Sequence, residues 1–162
     1  MEGLITYRPI GLIRSEHTDP EAVPIQGAYA DDCRGRAEIL PEYADGLRDL
    51  EGFSHIYLLY DFHRAHTTKL IVTPYLQDVE RGVFATRAPS RPNHIGLSIV
   101  RLIAREGRIL HIQGVDMLDG TPLLDIKPYV GRFDCIGDAR DGWLAGVDRE
   151  TARRRGRRQY DR

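Results

Sequence analysis

Apolar residues fall in short runs along this chain, and several runs alternate with polar positions as a half-buried strand requires. Residues 5–14 (ITYRPIGLIR) are rich in β-branched and aromatic types and predict a first strand, with Pro9 confining it to an edge or a bend. RAEIL at 36–40 predicts a short second one, and SHIYLLYDF at 54–62 is a strand too apolar to be exposed on both faces. Residues 69–85 read as strand, turn and strand, broken by Pro74 and Gly82. IGLSIVRLIAREG at 95–107 ends in a turn at Glu106-Gly107, and RILHIQGVDML at 108–118 continues as its hairpin partner. Asp119-Gly120 is a hairpin signal that leads into LLDIKPYV, a strand closed by Pro128. The best helix signal is Pro41 followed by Tyr43, Leu47 and Leu50, ending near residue 51 with Gly52 as the stop. Roughly six to eight short strands with one or two brief helices favour an antiparallel barrel or sandwich. No Gly-x-Gly-x-x-Gly follows a strand, so a doubly wound nucleotide fold has no support.

At 162 residues the chain is long enough for one domain with a real core. With 41% hydrophobic and 29% charged residues it is not a disordered polyelectrolyte, and no apolar run nears the ~18 residues a spanning helix needs. The start, MEGLITYRPIGLIRS, has Glu2 early and no long apolar stretch, unlike a signal peptide. Only Cys33 and Cys135 are present, with no Cys-x-x-Cys, which argues against a disulfide scaffold and a thiolate-built structural zinc site. The expectation is a reduced, cytoplasmic protein with no metal and no membrane contact. A net charge of −1 hides an asymmetry: residues 148–162 hold seven arginines against Asp148, Glu150 and Asp161. Such a basic tail suits contact with nucleic acid, and equally a solvated tail or one end of a helix docked on a partner subunit.

Four polar clusters carry possible chemistry. In GVFATRAPSRPNHIG at 82–96, Pro89 and Pro92 stiffen a loop that presents Arg87 and Arg91, either to a carboxylate or phosphate or merely to loop carbonyls. In GVDMLDGTPLLDIKPY at 114–129, Asp116, Asp119 and Asp125 lack the oxygen-ligand spacing of a calcium loop, and Asp125 has Lys127 as a ready ion-pair partner. DFHRAH at 61–66 closes an apolar strand, where the side chains of His63 and His66 diverge rather than share a metal. In VPIQGAYADD at 23–32, Gly27 and Ala28 let backbone approach a ligand closely. No nucleophile set is complete: Ser54 and Ser98 lack a Gly-x-Ser-x-Gly setting.

At these residues the chain resembles the TsaA-like family of TrmO-type tRNA N6-threonylcarbamoyladenosine methyltransferases. The matching segments are IGLIRS (10–15), AVP-x-Q (22–26), GLRDLEGFSHIYLLYDFH (46–63), GVFATR (82–87), RPN-x-IG-x-S (91–98) and DGTPLLDIKPY (119–129). The resemblance implies a small antiparallel β-barrel over residues 1–135, followed by a C-terminal segment, 136–162, with the basic tail. It implies S-adenosyl-L-methionine as cofactor, tRNA as probable partner and a homodimer. The cofactor contacts it implies are Gly27, Ala28, Tyr29, His63, Arg64, Arg87, Leu97, Gln113, Gly114, Val115 and Asp116. The proton acceptor is unassigned, with His63 and Asp125 as candidates. Methyl transfer to another, small-molecule acceptor and cofactor or RNA binding without turnover are the rival readings. The chain departs from the family pattern in having His94 where a Pro is usual. It also lacks the basic, proline-rich insert of longer members after His66, and ends in the arginine tail instead of a longer extension.

Overall fold

The computed structural model of the chain describes residues 3–157. The expectations that fall on Glu2, and on Arg158, Asp161 and Arg162 of the tail, lie outside the described residues. The strands are β1 (Gly11–Ser15), β2 (Arg34–Ile39), β3 (His55–Asp61), β4 (Ile71–Val72), β5 (Arg81–Gly82), β6 (Ile95–Glu106), β7 (Ile109–Gln113) and β8 (Thr121–Pro128). Two short α-helices follow, α1 (Gly131–Asp134) and α2 (Arg149–Arg157). Six strands close into an antiparallel barrel in the order β1-β2-β7-β6-β3-β8, while β4 and β5 pair separately. The barrel decides between the two architectures the strand pattern left open.

Alternation along each strand explains the closure. On β6, Gly96, Ser98, Val100 and Leu102 point inward, and Ile95, Leu97, Ile99 and Arg101 point out. Ile56, Leu58 and Tyr60 of β3, Leu110 and Ile112 of β7 and Leu123 of β8 fill the interior with them. Each such side chain contributes about 1.5–3 kcal/mol when fully removed from water. Leu47 and Leu50 pack on the same cluster. Tyr60 stands opposite Gly96, and its ring covers that glycine so closely that an added Cβ would lie within 3.0 Å of three ring atoms.

Several expected elements change. The first strand begins at Gly11, not residue 5; Leu4, Ile5 and Tyr7 ahead of it are 95%, 74% and 61% exposed, so they have no core to bury in. The expected helix at 41–51 is two 3-10 segments, Pro41–Leu47 and Leu50–Gly52, because Asp49 between them is left-handed (φ 66°) and interrupts the coil. Glu106-Gly107 does turn a hairpin, joining β6 to β7, with Gly107 at φ 61°. Asp119-Gly120 turns the chain but makes no hairpin: β8 pairs with β1 and β3 instead of β7. The turn is tied to the end of β1, with Gly120 N donating to Ile13 O (2.8 Å) and Asp119 N to His17 O (2.8 Å).

The C-terminal segment lies against the barrel loops. Trp143 Nε1 donates to Ala85 O (2.8 Å), Ile25 N to Gly156 O (3.0 Å), and Arg155 forms a forked pair with Asp78 (3.0 and 3.1 Å). The described part of the tail is a helix that packs on its own chain. No helix of the described residues is long and apolar enough to cross a membrane.

Candidate functional site

Four segments meet beside β6. The chain leaves β7 at Gln113 and turns at Gly114 (φ 85°); Val115 is then buried in the core and Asp116 is half-buried. Asp116 Oδ1 accepts the Ser98 hydroxyl (2.6 Å), and Ser98 Oγ lies 3.1 Å from the Tyr60 hydroxyl. Ser98 and Tyr60 are buried, so this polar chain runs from the barrel interior to the surface. Gly27, in the 3-10 turn Gly27–Tyr29, approaches so closely that a Cβ there would sit 2.9 Å from Gly114 O and 3.2 Å from Ile99 O. Its backbone N–H also bonds to the Asp116 carboxylate. Close backbone approach is therefore the reason for glycine at 27.

Desolvation pushes the Asp116 carboxyl up to about 6, although Ser98, the backbone N–H groups of Asp116 and Gly27, and the charge of Arg87 all pull it down. The Tyr60 phenol is raised by burial and by the nearby Asp116, so it stays protonated. Arg87 Nη1 donates to Gln26 Oε1 (2.6 Å), and its charge acts on Asp116, Tyr60 and Tyr57. That places a cation beside the acidic end of the polar chain. Arg91 behaves differently. Its Nη1 bonds Val83 O (3.1 Å) and Thr86 O (2.8 Å), and its guanidinium lies over the Phe84 ring, so it braces the loop that presents Arg87.

The structure thus brings Gly27, Arg87, Gly114 and Asp116 together, with Leu97 outward on β6 beside them and 46% exposed. Gln113 Nε2 bonds Asp31 O (2.5 Å), which ties the bend to the loop after Tyr29. Ala28 is exposed, and the Tyr29 ring packs on Gly156 of α2. Val115 offers only its backbone to this side. His63 and Arg64 sit beyond the end of β3, where His63 Nδ1 is 3.5 Å from Thr121 Oγ1. Asp125 is cross-strand from Leu59, as Leu97 is on the other side, and its oxygens are engaged by Lys127 Nζ (2.8 Å) and Ile126 N (2.9 Å). His94 gives its carbonyl to Phe62 N (2.7 Å) where β3 meets β6. Sequence reasoning overlooked Gln26 and Tyr60, and weighed Ser98 only as a nucleophile. All three stand inside segments it singled out, but the inward direction of Ser98 and Tyr60 emerges only from the strand register.

The fold and site define a class: a closed antiparallel barrel with a charged, glycine-flanked cluster beside it, formed by loops rather than by a strand–helix crossover. The family model of the tRNA-methyltransferase O N-terminal domain matches residues 12–135, and the chain belongs to that family. A probable S-adenosyl-L-methionine-binding protein of Pyrococcus abyssi is 57% identical over 141 residues, covering 87% of this chain and 77% of that protein. Human tRNA (adenine(37)-N6)-methyltransferase is 37% identical over 82% of this chain, which spans only 32% of the human protein. The crystal structure of TrmO from Pseudomonas aeruginosa matches with a TM-score of 0.73 and 43% identity, covering 87% of this chain and 63% of that one. The chain therefore spans less than two thirds of that solved relative.

Proposed function

We propose that the chain is an S-adenosyl-L-methionine-dependent methyltransferase acting on N6 of a modified adenosine beside the anticodon of tRNA. The observation that supports it most is the raised Asp116 carboxyl, held by the backbone N–H of Gly27 and acted on by the charge of Arg87. That donor set fits a zwitterionic amino acid joined to a nucleoside. Arg87 would take its carboxylate, and Asp116 its ammonium or a ribose hydroxyl. Leu97 and Ile99 offer an apolar platform, and the backbone of 27–29 and 113–116 supplies close polar contacts. The cofactor supplies a methyl group already activated on a cationic sulfonium, so the chain's task is positioning and electrostatics, with no nucleophile required. His63 is the better-placed proton acceptor of the two candidates, since both Asp125 oxygens are engaged. A tRNA substrate implies a cytoplasmic location.

A second copy is proposed to cover the end of the outer face of β6 beyond the cofactor, where Ile103 is 49% exposed. For tRNA, the proposed contact is α2. Arg149 and Arg153 are exposed one helical turn apart, at the edge of a cavity of about 550 Å³ that also includes Ala28 and Tyr29. Arg149→Glu/Arg153→Glu should weaken tRNA binding and reduce the slope of log affinity against log salt by about 2. Filter binding across a salt series reads this, and an unchanged slope removes α2 from the interface.

Arg87→Ala should weaken cofactor binding about tenfold or more in isothermal titration, as loss of one charge-assisted contact does. Arg155→Ala, which loses surface contacts with Asp78 and Tyr75 O, should leave it near wild type. Equal effects would remove Arg87 from the site. The reaction itself is tested by mass spectrometry of tRNA nucleosides from a deletion strain. Loss of the methylated, modified adenosine supports the proposal; unchanged levels refute it.

A further inference from the structure

A separate cluster lies behind the 113–116 bend, on the flank of the barrel away from Ser98. One ring nitrogen of His17, one carboxylate oxygen of Glu16 and Cys33 Sγ all lie within 4.8 Å of one another. From these side chains we infer a divalent metal site of the zinc class, held by Glu16, His17 and Cys33. The inference is independent of the methyl-transfer reading, and it runs against the sequence-based expectation of no metal.

Strand register explains why linear spacing conceals the site. β1 and β2 pair antiparallel with Ser15 opposite Gly35. Continued two residues outward, the same register sets His17 opposite Cys33, so groups 16 residues apart in the chain become cross-strand neighbours. His17 and Cys33 are buried, whereas Glu16 reaches solvent. That burial pattern gives a site anchored from inside with a fourth position open to water, the arrangement of three protein ligands and one exchangeable position known for zinc.

The chemistry selects the ion. A thiolate, an imidazole and a carboxylate favour zinc over magnesium or calcium, which prefer all-oxygen shells. One thiolate and one carboxylate also neutralise a divalent cation. Binding would exchange the Cys33 thiol proton for the metal–sulfur bond, and the proton leaves to solvent. The ring of His17 is already oriented by a backbone carbonyl, with Nε2 2.8 Å from Val115 O, the kind of outer partner that metal-bound imidazoles use. Without a metal, burial first and then the charges of Asp32 and Glu16 push the Cys33 thiol up to about 11, against the pull of Arg157, which pairs with Asp32 at 3.3 Å.

A metal here would brace the cofactor cleft from behind without touching it. Cys33 O accepts from both Gly114 N (2.9 Å) and Val115 N (3.3 Å), and His17 O accepts from Asp119 N (2.8 Å). Fixing Glu16, His17 and Cys33 would fix the bend that carries Asp116.

Cobalt(II) is the probe, titrated into the full chain after treatment with a chelator. One equivalent should bind, with a thiolate-to-cobalt charge-transfer band in the near ultraviolet that zinc removes. Cys33→Ser should abolish the band and Cys135→Ser should leave it intact. Glu16→Gln, at an exposed position, should weaken cobalt affinity about tenfold or more. It decides the matter even if Cys33→Ser does not fold. No saturable binding at millimolar cobalt, affinity unchanged in Glu16→Gln, or a band that follows Cys135 would overturn the inference.

Discussion

Asp116→Asn is expected to weaken S-adenosyl-L-methionine binding roughly a hundredfold, about 3 kcal/mol, the loss of one charged partner in a desolvated pair. The same substitution should not weaken the fold. The carboxyl of Asp116 is raised to about 6 by desolvation, above the usual 3.8, so the folded chain holds that proton more tightly than the unfolded one. Its contribution to stability is therefore complete below about pH 4 and declines as pH rises through 6, where a charge must be carried in the cleft. Asparagine keeps an acceptor for Ser98 and removes that charge. At pH 8 without cofactor, the variant should melt at or above the wild-type temperature, and the advantage should vanish near pH 4. Wild-type cofactor affinity should fall as pH drops below 6, because a neutral Asp116 no longer balances a cation. Calorimetry and thermal melts at pH 4 and 8 separate these effects. A variant that melts much lower and still binds cofactor would make Asp116 a structural residue.

Gly96→Ala should be the most damaging single methyl addition in the barrel. The new Cβ would fall within 3.0 Å of three Tyr60 ring atoms, on an inward position of β6 that faces Tyr60 across the sheet. Overpacking of this kind costs about 1–3 kcal/mol, which lowers the melting temperature of a chain this size by roughly 3–10 °C. Displacing Tyr60 also takes its hydroxyl from Ser98, the group that holds Asp116, so cofactor affinity should fall together with stability. Tyr60→Leu added to Gly96→Ala should recover part of the melting temperature, since the two residues interact directly. Recovery of stability without recovery of affinity would locate the functional loss in the Tyr60 hydroxyl. A wild-type melting temperature for Gly96→Ala would contradict the packing described here.

How much of this was legible in the sequence follows from the range of the forces involved. β3, β6 and β7 could be read because alternation and the Glu106-Gly107 turn are local signals, and the structure keeps them. Asp119-Gly120 misled, because a turn signal says that the chain reverses and not which strand lies beside it. The partners of β8 were fixed by barrel closure, a property of all six strands together. The helix at 41–51 failed for a comparable reason. Leu47 and Leu50 are buried as their spacing suggests, but left-handed Asp49 breaks the coil between them. In the candidate site, single-residue chemistry drew attention to Arg87 and Asp116, and the family resemblance grouped them with Gly27 and Gly114. Tyr60 went unnoticed and Ser98 was set aside as a nucleophile, since a serine and a tyrosine inside apolar strands resemble core residues until their mutual register is known. Arg91 shows the reverse: its stiff proline-flanked setting suggested a ligand contact, and its donors are used on the loop's own carbonyls.

The central claim is that the turn at Gly27, the loop of Arg87, the outer face of β6 and the bend at Gly114 form one cofactor site. Backbone amide shifts recorded during titration with S-adenosyl-L-methionine test it most directly. The largest changes should cluster at residues 26–29, 87, 97–99 and 113–116 and saturate together. Changes centred instead on the 41–52 end of the barrel or along β1 and β2, or no changes at millimolar cofactor, would contradict it.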